Sequence, residues 1–144
     1  MNDDTVIRTE GLTKYYGNFP ALVDLDLEIR AGEIFGFLGP NGAGKTTTIR
    51  TLLDEIRPTR GTASILGLDT HKRSVELRRH IGYLPGDLAM YPNLTGKDTL
   101  TYFANLRGGV DWSYVNSLVE RLNADLEKKV GDLSSGNRQK VGLI

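Results

Sequence analysis

The chain has 144 residues, of which 39% are hydrophobic and 25% charged, a length that suits one domain and a balance that argues against a disordered segment. Lys+Arg and Asp+Glu stand at 18 each, which argues against a general nucleic-acid binder, since that role needs a basic excess. Cysteine is absent, so disulfides and thiolate metal sites are excluded.

The start, MNDDTVIRTE, is acidic and polar and reads as free of a signal peptide. The longest apolar run, Ile34 to Leu38, is far short of a membrane span. A soluble, cytosolic chain is the expectation. His71 and His80 sit among basic residues and read as solvated surface.

In chain order, Val6 to Leu12 reads as a short strand. From Leu22 to Ile29, Leu25, Leu27 and Ile29 alternate with Asp24, Asp26 and Glu28, the pattern of a half-solvated strand. Ile34 to Leu38 is continuously apolar, as in a strand covered on both faces. A Gly-rich turn leads into a helix over Lys45 to Asp54, with Ile49, Leu52 and Leu53 as its apolar face. Arg57-Pro58-Thr59-Arg60-Gly61 is a turn. A strand over Thr62 to Leu66, a short basic helix over Ser74 to Arg79 and a strand over Ile81 to Leu84 follow, and Pro85-Gly86 ends the last.

From Thr95 the character is helical. Thr95 with Asp98 is a weak relative of the capping box. Leu100, Phe103, Ala104 and Leu106 form an amphipathic stripe that Gly108-Gly109 stops, and Val115, Leu118, Val119 and Leu122 form another. The chain thus divides into a strand-rich part over residues 1–90 and a helical part over residues 91–144. Ser134 opens a further helix that stops in Val141-Gly142-Leu143-Ile144; an uncapped apolar end reads as a truncation.

The strongest chemical signal is Gly39-Pro40-Asn41-Gly42-Ala43-Gly44-Lys45-Thr46, which fits G-x-x-x-x-G-K-[ST] in full. The glycines let backbone N–H groups turn inward. The helix that starts near Lys45 adds partial positive charge at its N-terminus. Lys45 is placed to reach the β- and γ-phosphates of a nucleotide, Thr46 to bind Mg²⁺, and Thr47 to bond the α-phosphate. This loop alone does not separate a kinase from a GTPase or an ATPase.

Further residues carry a resemblance. Leu12-Thr13-Lys14-Tyr15-Tyr16-Gly17 precedes the loop by about two dozen residues. Leu133-Ser134-Ser135-Gly136-Asn137-Arg138-Gln139, with Ser134 lying 89 residues beyond Lys45, is similar to an LSGGQ signature. From residue 5 onward the chain resembles the ATP-binding subunit of an ABC transporter. The resemblance implies an α/β P-loop NTPase of ABC type, with a parallel core sheet, an antiparallel β subdomain and a helical insertion, truncated before the Walker B strand. It implies ATP and Mg²⁺ as ligands, with Tyr16 stacking on adenine and Tyr15 as the fallback. It also implies that Ser134, Ser135, Gly136 and Asn137 grip ATP held by a second ATPase subunit, a homodimer mate or related copy. Ser135 departs from the pattern in place of a Gly, and Asn137 in place of a Gln; both stay small and polar.

A third departure follows Ile81 to Leu84. The family places a Mg²⁺-touching Gln there, and this chain has Pro85-Gly86-Asp87. Glycine has no side chain for a metal, so either Asp87 takes the role or the segment is a flexible connector. The resemblance implies that Asp87 to Pro92 meets a membrane permease subunit, with Met90 and Tyr91 as its apolar contacts, and that the protein sits in the cytoplasm, peripheral on the inner membrane face. No nucleic-acid partner is expected. Tyr83-Leu84-Pro85-Gly86 and Leu66-Gly67-Leu68-Asp69 resemble exporters of drugs or antibiotics.

The family's metal-binding Asp, catalytic Glu, D-loop and switch His belong beyond the signature. Asp125, Glu127 and Asp132 precede it and cannot fill those places. The expectation is therefore weak nucleotide binding, negligible turnover and an uncovered Ile34–Leu38 run. The rival readings are a soluble ABC-type ATPase acting on ribosomes or DNA, and a non-catalytic folding or assembly fragment.

Overall fold

The computed structural model of the protein describes residues 4–144; the first three residues of the acidic start lie outside them. The chain forms two compact units, one ending at Gly82 and the other spanning Tyr83–Ile144.

The first unit is built on four antiparallel strands in the order β2-β1-β3-β4, with β1 Thr5–Tyr16, β2 Phe19–Arg30, β3 Arg60–Ile65 and β4 Leu68–Asp69. The alternation read along β2 holds: Leu25, Leu27 and Ile29 are half-buried while Asp24, Asp26 and Glu28 are exposed. β1 and β2 pair from Thr5↔Arg30 to Tyr16↔Phe19, with register shifts along the way. At one shift the buried Thr13 hydroxyl donates to the Gly11 carbonyl at 3.0 Å, and the Asp24 amide donates to that hydroxyl at 3.0 Å. Arg60 closes the corner with an ion pair to Asp24 at 2.9 Å. Leu12, Leu22, Leu52, Ala63, Ile65 and Leu77 form the core beneath the sheet.

Helix α1, Lys45–Leu52, follows the Gly-rich turn. Its inward face is Thr48, Thr51 and Leu52; of the expected Ile49, Leu52 and Leu53, Leu52 is buried, Leu53 half-buried and Ile49 exposed. The Thr48 hydroxyl donates to the Gly44 carbonyl at 3.0 Å and the Thr51 hydroxyl to the Thr47 carbonyl at 2.8 Å. These back-bonds let threonine occupy an apolar face without a stranded polar group. Helix α2 is a single turn, Ser74–Leu77, held by the buried Leu77.

The α/β class with its antiparallel β subdomain stands, but two expected strands form no ladder. Ile34–Leu38 and Ile81–Leu84 have no sheet partner among the described residues. Ile34 and Leu38 are 104% and 91% exposed, the reverse of a strand covered on both faces. Apolar side chains favour such a strand, but a ladder also needs neighbouring backbone. Strands β1 to β4 bond among themselves in one sheet and offer these segments none.

The second unit holds α3 Gly96–Leu106, α4 Trp112–Leu122 and α5 Ser135–Leu143. The weak capping signal at Thr95 is a complete box: Thr95 Oγ1 accepts from the Asp98 amide at 3.0 Å while Asp98 accepts from the Thr95 amide at 3.3 Å. The hydroxyl and amide of Thr95 hold the Asp98 carboxyl below its usual range. Helix α3 buries Gly96, Thr99 and Ala104; Phe103 and Leu106, expected inside, are exposed. The core is instead Val130, Leu133 and Val141, with Met90, Leu100 and Leu126 packed on it. Val130 and Gly131 donate from their amides to the carbonyls of Leu94 and Pro92 at 2.8 and 3.0 Å. That tie delivers Leu133 to the core and leaves Ser134 to start α5.

Leu12 is fully buried beneath the sheet. Leu12→Ala lowers the unfolding free energy by about 3 kcal/mol, the cost of a buried leucine cavity, while the exposed Val23→Ala stays within about 0.5 kcal/mol of the parent. Urea denaturation followed by circular dichroism measures both.

Candidate functional site

The Gly-rich turn is shaped by one close approach. Gly44 has φ +83°, and a Cβ there would lie 2.7 Å from the Ala21 carbonyl oxygen. Only glycine fits both the left-handed backbone and that gap. Gly44 caps α1 with no side-chain bond. The amides of Lys45, Thr46 and Thr47 have no partner among the described residues, because the first helical bond runs from Thr48 N–H to the Gly44 carbonyl at 2.8 Å. Unpaired amides at the first turn of a helix form a donor rim for an anion. Within the turn, the Ala43 amide donates to the Pro40 carbonyl at 3.2 Å.

Lys45 folds over this turn. Its Nζ donates to the carbonyls of Gly39 at 2.5 Å and Pro40 at 2.8 Å. The ammonium has three donors, so these bonds leave one free. No carboxylate lies among its ion-pair partners in the described residues. The turn is thus bridged by a cation that remains half-exposed. The Thr46 hydroxyl is exposed and unpaired at the first turn of α1, which suits a single oxygen ligand for a hard cation. Gly39, Pro40, Asn41, Gly42 and Ala43 form the exposed outer wall of the turn.

Tyr16 ends β1 with an exposed ring, 5.2 Å below the Lys14 ammonium. Its neighbour Tyr15 is also exposed, and the Tyr15 amide donates to Thr59 Oγ1 at 3.0 Å. In the first unit the structure also pairs His71 Nδ1 with Asp54 Oδ1 at 2.9 Å. Sequence reading left His71 as bare surface, and nothing in the spacing of two residues so far apart marked the contact.

In the second unit, Ser134 caps α5 and its Oγ accepts from the Asn137 amide at 3.3 Å. Ser135 and Gly136 lie exposed in the first turn, and Gly136 has open space around it. Asp87 is exposed and makes no ion pair among the described residues. It shares a narrow cleft of about 90 Å³ with Gly86, Leu88, Ser135, Arg138 and Gln139. No local spacing signals this juxtaposition; the packing of Leu84, Leu88 and Met90 against α5 creates it. A Cβ at Gly142 would lie 3.1 Å from both Leu84 Cδ1 and Met90 Cε. Met90, expected as an exposed partner contact, is therefore taken up by the core. Tyr91 remains exposed and meets Tyr102 edge-on at 5.5 Å between ring centroids.

Comparison with known proteins places this geometry in context. A family model described as "ABC transporter" matches residues 22–144. The bacitracin transport ATP-binding protein BcrA of Bacillus licheniformis is 38% identical over 96% of this chain and 46% of its own length. The probable multidrug ABC transporter ATP-binding protein YbhF of Escherichia coli is 41% identical over 97% of this chain and 25% of its own length. The chain therefore spans less than half the length of these curated relatives. A solved ATP-binding subunit of an ABC transporter superposes with a TM-score of 0.81 at 29% identity, covering 96% of this chain and 60% of that one. A putative ABC transporter ATP-binding protein from Pyrococcus furiosus superposes with a TM-score of 0.79, also at 29% identity, over 95% of this chain and 67% of that one. With its family model matched over most of its length and its fold shared with solved ATP-binding subunits, this chain belongs to the ABC transporter family.

Proposed function

We propose that this chain is the nucleotide-holding part of an ATP-hydrolysing ABC transporter subunit that powers export through a separate membrane subunit. The observation that carries the reading is the rim of amides over residues 45–47, unpaired among the described residues, beside a Lys45 ammonium that no described carboxylate neutralises. Converging amides, a helix N-terminus and a cation suit a triphosphate.

Lys45 is the catalytic residue of this chain. It exchanges its loop carbonyls for β- and γ-phosphate oxygens and stabilises charge on the transferring group. Gly39, Pro40, Asn41, Gly42, Ala43 and Gly44 wrap the phosphates, Thr47 bonds the α-phosphate, and the Tyr16 ring stacks on adenine. Among the described residues no group of three or more His, Asp or Glu gathers to hold a metal. Mg²⁺ arriving with the nucleotide would be held by Thr46; Asp87 is a second candidate oxygen ligand, and its segment is otherwise a connector. Bound Mg²⁺ neutralises phosphate charge.

The reading divides the chain into a nucleotide core over residues 1–90 and a helical subdomain over residues 91–144. Ser134, Ser135, Gly136 and Asn137 offer the N-terminus of α5 to ATP held by a second ATPase subunit, a homodimer mate or related copy. The exposed Tyr91 leads the Asp87–Pro92 contact with an integral membrane permease. No described helix is long and apolar enough to cross a membrane; the place we assign is peripheral, on the cytoplasmic face. The names of the bacitracin and multidrug relatives support export. By itself this chain binds nucleotide weakly and turns over little, because phosphoryl transfer also needs an oriented nucleophile.

Titration with a fluorescent ATP analogue tests the reading: Lys45→Ala abolishes binding while the far-ultraviolet spectrum stays unchanged, and undiminished affinity would refute the phosphate assignment. Tyr16→Ala weakens ATP by about 1–2 kcal/mol; a loss confined to Tyr15→Ala moves the stacking role to that ring. Asp87→Ala lowers the Mg²⁺ dependence of nucleotide binding, and an unaltered Mg²⁺ titration leaves the segment as a connector.

A further inference from the structure

Charge in this chain is balanced overall but not locally. Residues 71–80 carry Lys72, Arg73, Arg78 and Arg79 against one acid, Glu76. That acid is occupied, because Arg73 Nε donates to Glu76 Oε2 at 2.6 Å. The other nearby carboxylates are occupied too. Asp54 faces His71 at 2.9 Å. Asp69 Oδ1 accepts the amides of His71 and Lys72 at 3.0 and 2.8 Å, and the Lys72 amide is the main cause of its lowered pKa. The side chains of Lys72, Arg78 and Arg79 make no ion pair among the described residues. All three are exposed.

The fold gathers these cations onto one surface. Leu77, 1% exposed, anchors the single turn of α2 in the core, and Val75 on the same turn is 71% exposed. Lys72, Arg73, Val75, Arg79 and His80 line one shallow depression of about 610 Å³, together with Ser74 and the Glu76 carboxylate that Arg73 holds. A solvated apolar tip beside Lys72 and Arg79, which make no ion pair among the described residues, and Arg73, which is shared with Glu76, matches the boundary between anionic headgroups and acyl chains. Nucleic acid fits less well. No Phe, Tyr or Trp lies within residues 71–80 to stack on a base, and a turn of four residues cannot fill a major groove.

We propose that the exposed surface of residues 72–80 binds the anionic phosphates of a lipid bilayer, with Lys72, Arg73 and Arg79 on headgroups, Arg78 beside them, and Val75 at the interface. This contact deepens the membrane-peripheral reading by adding direct lipid attachment. It does not depend on the nucleotide site, and nucleotide titration of the same variants separates failure of one from failure of the other.

Co-sedimentation of the full chain with vesicles tests it. The chain pellets with phosphatidylcholine vesicles containing phosphatidylglycerol, not with phosphatidylcholine alone, and added salt releases it. Lys72→Glu/Arg79→Glu weakens binding by roughly tenfold or more, whereas Lys72→Arg/Arg79→Lys keeps it, and both leave nucleotide affinity unchanged. Lys72→Glu alone breaks no side-chain hydrogen bond or ion pair among the described residues and weakens binding by about fivefold, so the result survives if the double reversal disturbs folding. Equal binding to neutral vesicles, no binding to anionic vesicles at low salt, or undiminished binding by the charge-reversed variants would overturn the proposal. So would tighter binding to duplex DNA or RNA at the same salt.

Discussion

The approach of Gly44 to the Ala21 carbonyl governs the candidate site. β2 brings that carbonyl to the turn, and with φ +83° at Gly44 the chain passes it without a side chain and enters α1 at once. The first amides of α1 then have no carbonyl partner among the described residues and stand as the donor rim at the helix start. A bulkier residue would push the turn away from β2 and misplace the helix start. The antiparallel sheet therefore does more than shelter a core; it sets where the donor rim lies.

Lys45 completes the turn in a way that couples its shape to its charge. By bonding the Gly39 and Pro40 carbonyls, the ammonium holds the turn closed around itself. Phosphate oxygens are stronger acceptors than neutral carbonyls, so an incoming anion competes for the same donors and finds the cation already placed. The buried Thr48 and Thr51 hydroxyls, bonded back into their own helix, leave no stranded polar group on the face of α1 beneath the turn.

The second unit uses the same device at α5, with a different support. Ser134 begins the helix because the preceding turn is tied by its amides to Pro92 and Leu94. Gly142 lets Leu84, Leu88 and Met90 settle against α5. That packing puts Asp87 on the cleft with Ser135 and Arg138. A segment of weak sequence character is thus positioned entirely by what it packs against.

Local patterns were legible wherever the physics is local. The Gly39–Thr46 spacing, the alternation along β2, the Thr95 cap and the serine start of α5 all act within a few residues, so sequence alone determined them. Tertiary structure decided the rest. Ile34–Leu38 has a strand's composition, yet pairing needs backbone from elsewhere and none is offered. Phe103 and Met90 exchanged expected places because burial depends on which neighbours arrive, and periodicity does not name them. The Asp54–His71 pair and the Asp87 cleft join residues distant in sequence, and only the folded chain brings them together.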